Sequence, residues 1–292
     1  MSNLRMAAVA APFGRDLEAD FRQIAELIDE AAQRGVRLLA LPEACLGGYL
    51  TSLDAPNPDE TGDELGGPPP LRLDGPEIKR LAALAGDMVV TAGYCELADG
   101  ENGGDDQESG RLYNSVVCVT GDGVLGNHRK VHQPLGEGAS YDRGGEFVPF
   151  DTPVGRLGMM ICYDKAFPES ARALALAGAE IVTCVSAWPT SRTNQAADLS
   201  ADRWVQRFNL FDQVRALENQ IVWLSANQSG SFGSMRFVAS AKVVGPGGDI
   251  LATTGLGAGM AVADLDVDAE LAAARRSMAH LSNRRPETYS LA

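Results

Sequence analysis

The sequence predicts one α/β domain that contains both parallel and antiparallel strands. Strands and helices alternate at the start of the chain and again after residue 156, and the section between reads as hairpins. No linker separates two independent cores. With 292 residues, of which 45% are hydrophobic, the chain can build a large core. We therefore predict a single domain over 1–292 with a mixed sheet system.

The first elements are a strand, a helix and a second strand. Residues 6–11, MAAVAA, are apolar and predict a strand, and Asp16 is placed to cap a helix that Gly35 ends. The next stretch, VRLLALPEA, predicts a buried strand that stops at Pro42. The apolar residues of the helix recur at helical spacing: Leu17, Phe21, Ile24, Ile28 and Ala31.

The middle section predicts a short helix over 76–85, a strand over 88–95 and then hairpins. A hairpin of two antiparallel strands is predicted here, because only a short GDG turn separates the apolar stretches RLYNSVVCVT and VLGNHRKVH. Residues 52–73 and 97–109 are rich in glycine and acidic residues, the first also in proline, and predict loop insertions.

After residue 156 the strand–helix pattern returns. An apolar strand ends at Cys162, and Pro168 is placed to open a helix over 168–177. A strand is predicted over 221–227, a hairpin over 241–254 and a C-terminal tail over 266–292. A further helix, over 202–218, has four residues on one predicted apolar face: Trp204, Phe208, Phe211 and Leu217.

Composition narrows the function classes. The net charge of −14 disfavours nucleic acid and anionic membranes as partners, and no apolar run approaches the length of a membrane span. Five cysteines without CxxC spacing argue against a disulfide framework or a structural zinc site. We therefore expect a cytoplasmic protein.

Three chemically reactive side chains follow the ends of predicted strands, which is where α/β folds place their sites. Glu43 follows LLALP, Lys130 stands in GNHRKVH and Cys162 follows LGMMI. A carboxylate that takes a thiol proton and a cation that stabilises an oxyanion would make Cys162 an acylation site. Singly, each residue is explained as well by a structural cysteine, a strand-end acid or an edge lysine.

Together these segments resemble the nitrilase superfamily of carbon–nitrogen hydrolases. The matching stretches are LALPEACLGGYL, HRKVHQ and GMMICYDKAFPE, with VSAWP, RALENQIVWLSANQSG and VVGPGGDIL following in order. The resemblance implies a four-layer α-β-β-α sandwich of two mixed sheets flanked by helices. It also implies self-association, for which the helices at 168–177 and 202–218 are the candidates.

The resemblance also implies roles for single residues. Glu43 would be the general base, Lys130 the oxyanion-stabilising cation and Cys162 the nucleophile. Glu137 would be the second glutamate of the family, because EGASYDRGG keeps the family's spacing to an aromatic residue and a glycine. The backbone N–H of Tyr163 would be a second oxyanion donor. Gln133 departs from the family by standing where many members have an apolar residue.

The implied reaction is hydrolysis of a small amide, which needs neither a metal nor an organic cofactor. Trp188 would lie near the acyl pocket, and Lys165 would either meet a substrate acid or stand solvated at the helix entry. A nitrilase or an N-carbamoyl amidase is the alternative enzyme. A catalytically silent member that acts as an interaction scaffold is the alternative from another class, and retention of the reactive residues disfavours it.

Overall fold

The computed structural model describes residues 3–53, 66–99 and 110–289. Its helices are α1 Leu17–Gln33, α2 Pro76–Ala85, α3 Pro168–Leu176, α4 Arg203–Asn219 and α5 Val267–Ser277. Its strands are β1 Leu4–Ala11, β2 Leu38–Ala40, β3 Val89–Ala98, β4 Arg111–Thr120, β5 Gly123–Arg129, β6 Phe150–Thr152, β7 Gly155–Ile161, β8 Ile181–Ser186, β9 Val222–Gln228, β10 Ser231–Phe232, β11 Met235–Arg236, β12 Lys242–Val244, β13 Ile250–Thr253 and β14 Gly259–Leu265.

Most of the strands form one mixed sheet, nearly closed into a barrel. Its order is β5-β4-β3-β2-β1-β9-β8-β7-β6, with β14 added to β1 and the β12–β13 hairpin added to β9. The β3–β4–β5 section is antiparallel, as the hairpin pattern predicts, whereas β2, β1, β9, β8 and β7 run parallel. The two halves meet where β1 pairs with β9, and β3 and β4 lie opposite β8 and β7 across the core.

Four layers result, because both faces of each half are buried. Within β1, Met6 and Ala8 point into the core between the halves, while Ala7 and Val9 pack under α1 and α2. Met160 of β7 packs likewise under α3 and α4. Such two-sided burial explains the continuous apolar runs of these strands. The predicted four-layer arrangement is confirmed, and its two sheets are halves of one hydrogen-bonded sheet.

The predicted helix ends agree with the structure where the local chemistry is strong. The Asp16 carboxylate accepts hydrogen bonds from the backbone N–H groups of Glu18 and Ala19, and Pro168 opens α3. The apolar face predicted for α4 is wrong at Leu217, which is 44% exposed. The buried face of α4 instead includes the charged residues Asp212 and Arg215.

Several expectations concern segments at the edge of the fold. Residues 54–65 and 100–109, the larger parts of the two predicted insertions, lie outside the described residues. The predicted tail contains α5, which Gln220 anchors through a 2.9 Å hydrogen bond to the carbonyl of Ala274. Throughout the described ranges, no helix is long and apolar enough to cross a membrane. Self-association through α3 and α4 stays a prediction. Each of these helices has an exposed leucine that such a contact could cover, Leu176 on α3 and Leu210 on α4.

Candidate active site

The strand directions bring four predicted site residues to one edge of the sheet. Glu43, Lys130 and Cys162 follow the carboxyl ends of β2, β5 and β7, and these three strands run in the same direction through their neighbours. Glu137 lies in a single 3₁₀ turn, Leu135–Ala139, a few residues after Lys130. All four side chains are buried.

Glu43, Lys130 and Glu137 form a buried ion network, which we call the Glu–Lys–Glu cluster. The Lys130 ammonium donates to Glu43 Oε1 at 2.7 Å and to Glu137 Oε1 at 2.9 Å. The amide of Asn114 donates to the same two oxygens at 2.6 and 2.7 Å, and the Tyr49 hydroxyl donates to Glu137 at 2.9 Å. Each carboxylate therefore has at least two donors, as buried charges require.

The position of Glu43 depends on a close backbone approach. A Cβ on Gly93 of β3 would lie 2.4 Å from the backbone N of Ala44, so only glycine lets this loop reach the sheet. Ala44 itself has a left-handed backbone, with φ of 53°. The second carboxylate oxygen of Glu43 accepts a hydrogen bond from the backbone N–H of Ala187, just after β8. Glu43 thus connects the two halves of the sheet at the site.

The turn that contains Glu137 is held against Lys130 in a similar way. The backbone N–H of Gly144 donates to the carbonyl of Lys130 at 2.8 Å, and a Cβ at Gly144 would lie 2.1 Å from the Arg129 carbonyl oxygen. This contact gives a physical reason for the glycine noted in EGASYDRGG. Leu135, at the start of the turn, also has a positive φ of 48°.

Cys162 is the first residue of a 3₁₀ turn, Cys162–Ala166, between β7 and α3. Its φ of 48° is left-handed, which costs a residue with a side chain about 1–2 kcal/mol. Asp164 holds the turn: its carboxylate accepts from the backbone N–H groups of Ile161 at 3.1 Å and His132 at 2.8 Å. The rings of His128 and His132 also contact this carboxylate, at 3.4 and 2.9 Å.

The electrostatics of the site favour a protonated sulfur and a charged lysine. Burial and the Glu43 carboxylate raise the pKa of the Cys162 thiol well above its ordinary value, and Lys130 opposes them only in part. Burial lowers the pKa of Lys130, but the carboxylates of Glu137 and Glu43 outweigh it, so that the pKa is raised overall. The resting state is therefore a thiol beside a carboxylate and an ammonium.

A cavity of about 370 Å³ opens onto Cys162. Two of the predicted substrate-binding residues, Tyr163 and Trp188, line it, and the backbone N–H of Trp188 is fixed by a 2.8 Å hydrogen bond to Asn227. The described lining is almost entirely apolar or aromatic: Tyr49, Leu53, Pro134, Leu135, Cys162, Tyr163, Ala166, Ala187, Trp188, Pro189, Trp204, Arg207 and Phe211. Such walls suit an apolar acyl group.

Lys165 is not among the described residues that line the cavity. It is fully buried, so the expectation of a solvated helix-entry residue is wrong, and the geometry gives no support to a contact with substrate. Its ammonium donates to Asp212 Oδ1 at 2.8 Å, Lys242 donates to Asp212 Oδ2 at 2.6 Å, and the Trp223 indole donates to Oδ1 at 2.9 Å. We call Lys165, Asp212 and Lys242 the Lys–Asp–Lys cluster.

Sequence reasoning missed the polar residues that support the site. Asn114 and Tyr49 contact the Glu–Lys–Glu cluster, and Asp164 fixes the cysteine turn. Asn114 interrupts the apolar strand RLYNSVVCVT, which was the available signal, since a polar residue facing a core needs a partner. Asp164 stands inside the motif around Cys162, where its two histidine partners are distant in sequence.

Comparison with known proteins gives consistent results. The sequence profile of the family described as carbon-nitrogen hydrolase matches residues 5–275. The chain is 32% identical to a human deaminated glutathione amidase over 289 residues, covering 94% of this chain and 80% of the relative. A crystal structure of a carbon-nitrogen hydrolase from Helicobacter pylori G27 superposes with a TM-score of 0.81 at 24% identity, covering 99% of this chain and 97% of that one.

A second solved structure, at 22% identity, has the same fold. It is an amidase from Nesterenkonia sp. AN1 in which an acetamide moiety is covalently added at the active-site cysteine. Its TM-score is 0.73, with 98% of this chain and 95% of that chain covered.

Proposed function

The chain belongs to the carbon–nitrogen hydrolase family of the nitrilase superfamily and is an amidase-type enzyme; from this premise we propose that it hydrolyses a small amide through a thioester on Cys162. Glu43 is the general base, Lys130 stabilises the oxyanion and Glu137 positions Lys130. The products are ammonia and a carboxylic acid.

In the first step Glu43 takes the thiol proton as the sulfur of Cys162 attacks the amide carbon. Because the pKa of the thiol is raised by burial and by Glu43, the base is needed to form the nucleophile. The carbonyl oxygen gains negative charge, which the Lys130 ammonium and the backbone N–H of Tyr163 stabilise. The C–N bond then breaks as Glu43 returns the proton to the departing nitrogen, leaving ammonia and the thioester.

In the second step Glu43 takes a proton from water, and the resulting hydroxide attacks the thioester. The C–S bond breaks, the acid leaves and the sulfur recovers the proton from Glu43. The network supports this use of one carboxylate twice. Glu43 is held by three donors, from Lys130, Asn114 and Ala187, so it keeps its position in both steps.

The observation that supports the proposal best is the ion pair of Lys130 with Glu43 at 2.7 Å, fully buried, and close enough to Cys162 to shift the pKa of a thiol that lines the cavity. A buried pair of this kind gains little stability from its own attraction. Because the pair acts on a sulfur that lines the cavity, it can take the thiol proton and stabilise negative charge on a bound substrate. The named activity of the human relative is also that of an amidase.

The test is ammonia release from a panel of primary amides, nitriles and N-carbamoyl amino acids. We expect amides to react and hydroxylamine, added with them, to divert the thioester to a hydroxamate. Cys162→Ala should abolish both products while the chain stays folded, and Cys184→Ala is the matched control at another buried cysteine. Ammonia released only from nitriles or only from N-carbamoyl amino acids would show that the substrate belongs to that class and not to the amides. No ammonia from any compound of the panel would favour a catalytically silent scaffold.

A further inference from the structure

The 3₁₀ turn Cys162–Ala166, which we call the cysteine turn, needs support from its surroundings. Its first residue has a left-handed backbone, and such a conformation persists only where neighbouring groups hold it. Asp164 holds the start of the turn by accepting from the backbone N–H groups of Ile161 and His132. The carbonyl oxygens at the end of such a turn need donors from outside it.

Arg215 of α4 supplies donors to the end of the cysteine turn. Its Nε donates to the carbonyl of Lys165 at 2.9 Å, and one terminal nitrogen donates to the carbonyl of Ala166 at 3.2 Å. The other terminal nitrogen donates to Glu218 at 2.7 Å. The side chain of Arg215 is buried. Because the donors of a guanidinium lie in one rigid plane, Arg215 fixes the two carbonyls relative to each other and to α4.

The side chain of Lys165 makes a second link between the cysteine turn and α4. Its ammonium donates to Asp212 Oδ1 at 2.8 Å. Asp212 and Arg215 are three residues apart, which puts them on the same face of the helix. Asp212 is held in turn by hydrogen bonds from Lys242 and from the indole of Trp223. Both the main chain and the side chain of Lys165 are therefore bound to α4.

We propose that Arg215 is a positioning residue for the amidase reaction and that Asp212 assists it through Lys165. Neither Arg215 nor Asp212 is among the described residues that line the cavity. The inference rests on the proposed function, in which the backbone N–H of Tyr163 stabilises the oxyanion. Tyr163 lies between Cys162 and the carbonyls that Arg215 holds, so release of these carbonyls lets the N–H turn away from the oxyanion.

The test compares two reactions of the same sulfur. Ammonia release from an amide passes through an oxyanion, which needs the backbone donor. Methylation by iodomethane forms an S–C bond as the C–I bond breaks, iodide leaves and Glu43 takes the thiol proton, so no oxyanion forms. A positioning residue therefore affects the first reaction more than the second, whereas a residue that only maintains the fold affects both reactions or neither.

Arg215→Met removes the donors and keeps a long side chain. We expect kcat for ammonia release to fall by about tenfold to a hundredfold, as small displacements of reacting groups cause, with little change in KM. The rate of methylation of Cys162, measured by peptide mass spectrometry, should stay nearly unchanged. Arg215→Lys should restore part of kcat, because an ammonium can donate to one of the two carbonyls.

The matched control is Arg203→Met, which changes an exposed arginine of the same helix. Arg203 donates to the carbonyl of Thr193 at 3.3 Å, outside the cysteine turn, and its replacement should keep both rates. If circular dichroism shows that Arg215→Met does not fold, Lys165→Met decides the question through the same two rates. It leaves Asp212 paired with Lys242 and should lower kcat for ammonia release without slowing methylation.

Two kinds of result would overturn the inference, and they can be told apart. If ammonia release is unchanged in the variants, or falls together with methylation by the same factor, Arg215 has no positioning role and the proposed function stands. If the unmodified protein releases no ammonia from any amide while iodomethane still methylates Cys162, the proposed function fails and this inference fails with it.

Discussion

The two buried ion clusters are built from the same kinds of group in opposite proportions. The Glu–Lys–Glu cluster has two carboxylates around one ammonium, and the Lys–Asp–Lys cluster has two ammoniums around one carboxylate. The side chains of both clusters are buried. The first lies beside Cys162. In the second, the Lys165 ammonium lies over the rings of Trp188 and Phe208, and none of its three residues is among the described residues that line the cavity.

Their central difference is what burial does to a lysine. Burial lowers the pKa of both Lys130 and Lys242, because it disfavours the charged form. Two carboxylates outweigh this for Lys130, and its pKa is raised overall. Lys242 shares the single carboxylate of Asp212 with Lys165, and its pKa is lowered to about 8. For these two lysines, the number of nearby carboxylates, rather than burial itself, decides whether the pKa is raised or lowered.

The largest effect on stability is expected when the single carboxylate of the Lys–Asp–Lys cluster is removed. Asp212→Asn leaves two buried ammoniums without a counter-charge and should lower the free energy of unfolding by about 3–5 kcal/mol. Urea unfolding monitored by circular dichroism measures it. Glu137→Gln is the matched change, and it should cost less stability because Lys130 keeps Glu43. An equal loss of unfolding free energy in the two variants would mean that two unpaired ammoniums cost no more than one lost carboxylate beside a lysine that keeps its partner.

The next largest effect separates the clusters by activity. Lys130→Gln should reduce kcat for amide hydrolysis by about 10²–10³-fold, the usual effect of losing one oxyanion-stabilising group. Lys242→Gln, the same change in the other cluster, should leave kcat almost unchanged, because Lys242 is not among the described residues that line the cavity. Steady-state ammonia release measures both. A similar loss in the two variants would show that Lys130 acts only through the fold.

A smaller effect concerns stability and pH. Lys242→Met removes a buried ammonium while Asp212 keeps Lys165, and at pH 7 it should raise the free energy of unfolding by about 1–3 kcal/mol. The pKa of Lys242 is about 8 in the fold and 10.5 in the unfolded chain, so the unfolded chain binds more protons between these values. Stability of the unmodified protein therefore rises across this window, and the advantage of Lys242→Met should disappear by about pH 10.

The comparison with the variant isolates Lys242 from the other titrating groups. Burial raises the pKa of the thiols, to about 12 for Cys95 and Cys184, so the fold keeps protons that the unfolded chain loses above pH 9. That contribution is fully present below pH 9 and is lost at higher pH. For Cys95 it is the same in both proteins, whereas Cys184 interacts with Lys242, so the pH 7 and pH 8 measurements are the cleanest. Urea midpoints at pH 7, 8, 9 and 10 give the difference. A constant difference across this range would contradict the lowered pKa of Lys242.

The smallest predicted effect compares the two thiols that lie near the clusters. Cys162 lines the cavity, whereas Cys184 is fully buried near Lys165 and Asp212. Iodoacetamide below one equivalent should label Cys162 at least about tenfold faster than Cys184, and Glu43→Gln should slow the labelling because Glu43 accepts the proton. Peptide mass spectrometry identifies the site. Equal labelling, or faster labelling of Cys184, would contradict the assignment.

The fold could be predicted largely because hydrophobic runs and caps act locally. Residues 76–85 and 111–120 match α2 and β4, and Asp16 and Pro168 open their helices as expected. The face of α4 could not be predicted from apolar spacing. Its buried side includes Asp212, whose lysine partners come from other elements, and a charged residue in a sequence is ordinarily assigned to solvent.

The site divides in the same way. Glu43, Lys130 and Cys162 each follow a strand within a recognisable motif, so their meeting could be anticipated from strand direction. The Lys–Asp–Lys cluster joins residues 47 and 30 positions apart, each unremarkable in its own segment. Lys165 shows the consequence: its place beside the cysteine suggested a substrate contact, and a partner on α4 removes it from the cavity.

The left-handed backbone at the site has a consequence for how such a chain changes over generations. Among the described residues, Ala44, Leu135 and Cys162 are three of the seven non-glycine positions with positive φ, and all three adjoin the site. Selection for stability alone would favour glycine at such positions. In a lineage that is no longer selected for activity, we therefore expect Cys162 to be replaced early, because glycine at this position relieves the backbone strain. Under the proposed function, selection for the chemistry of Cys162 is what keeps a cysteine in this conformation.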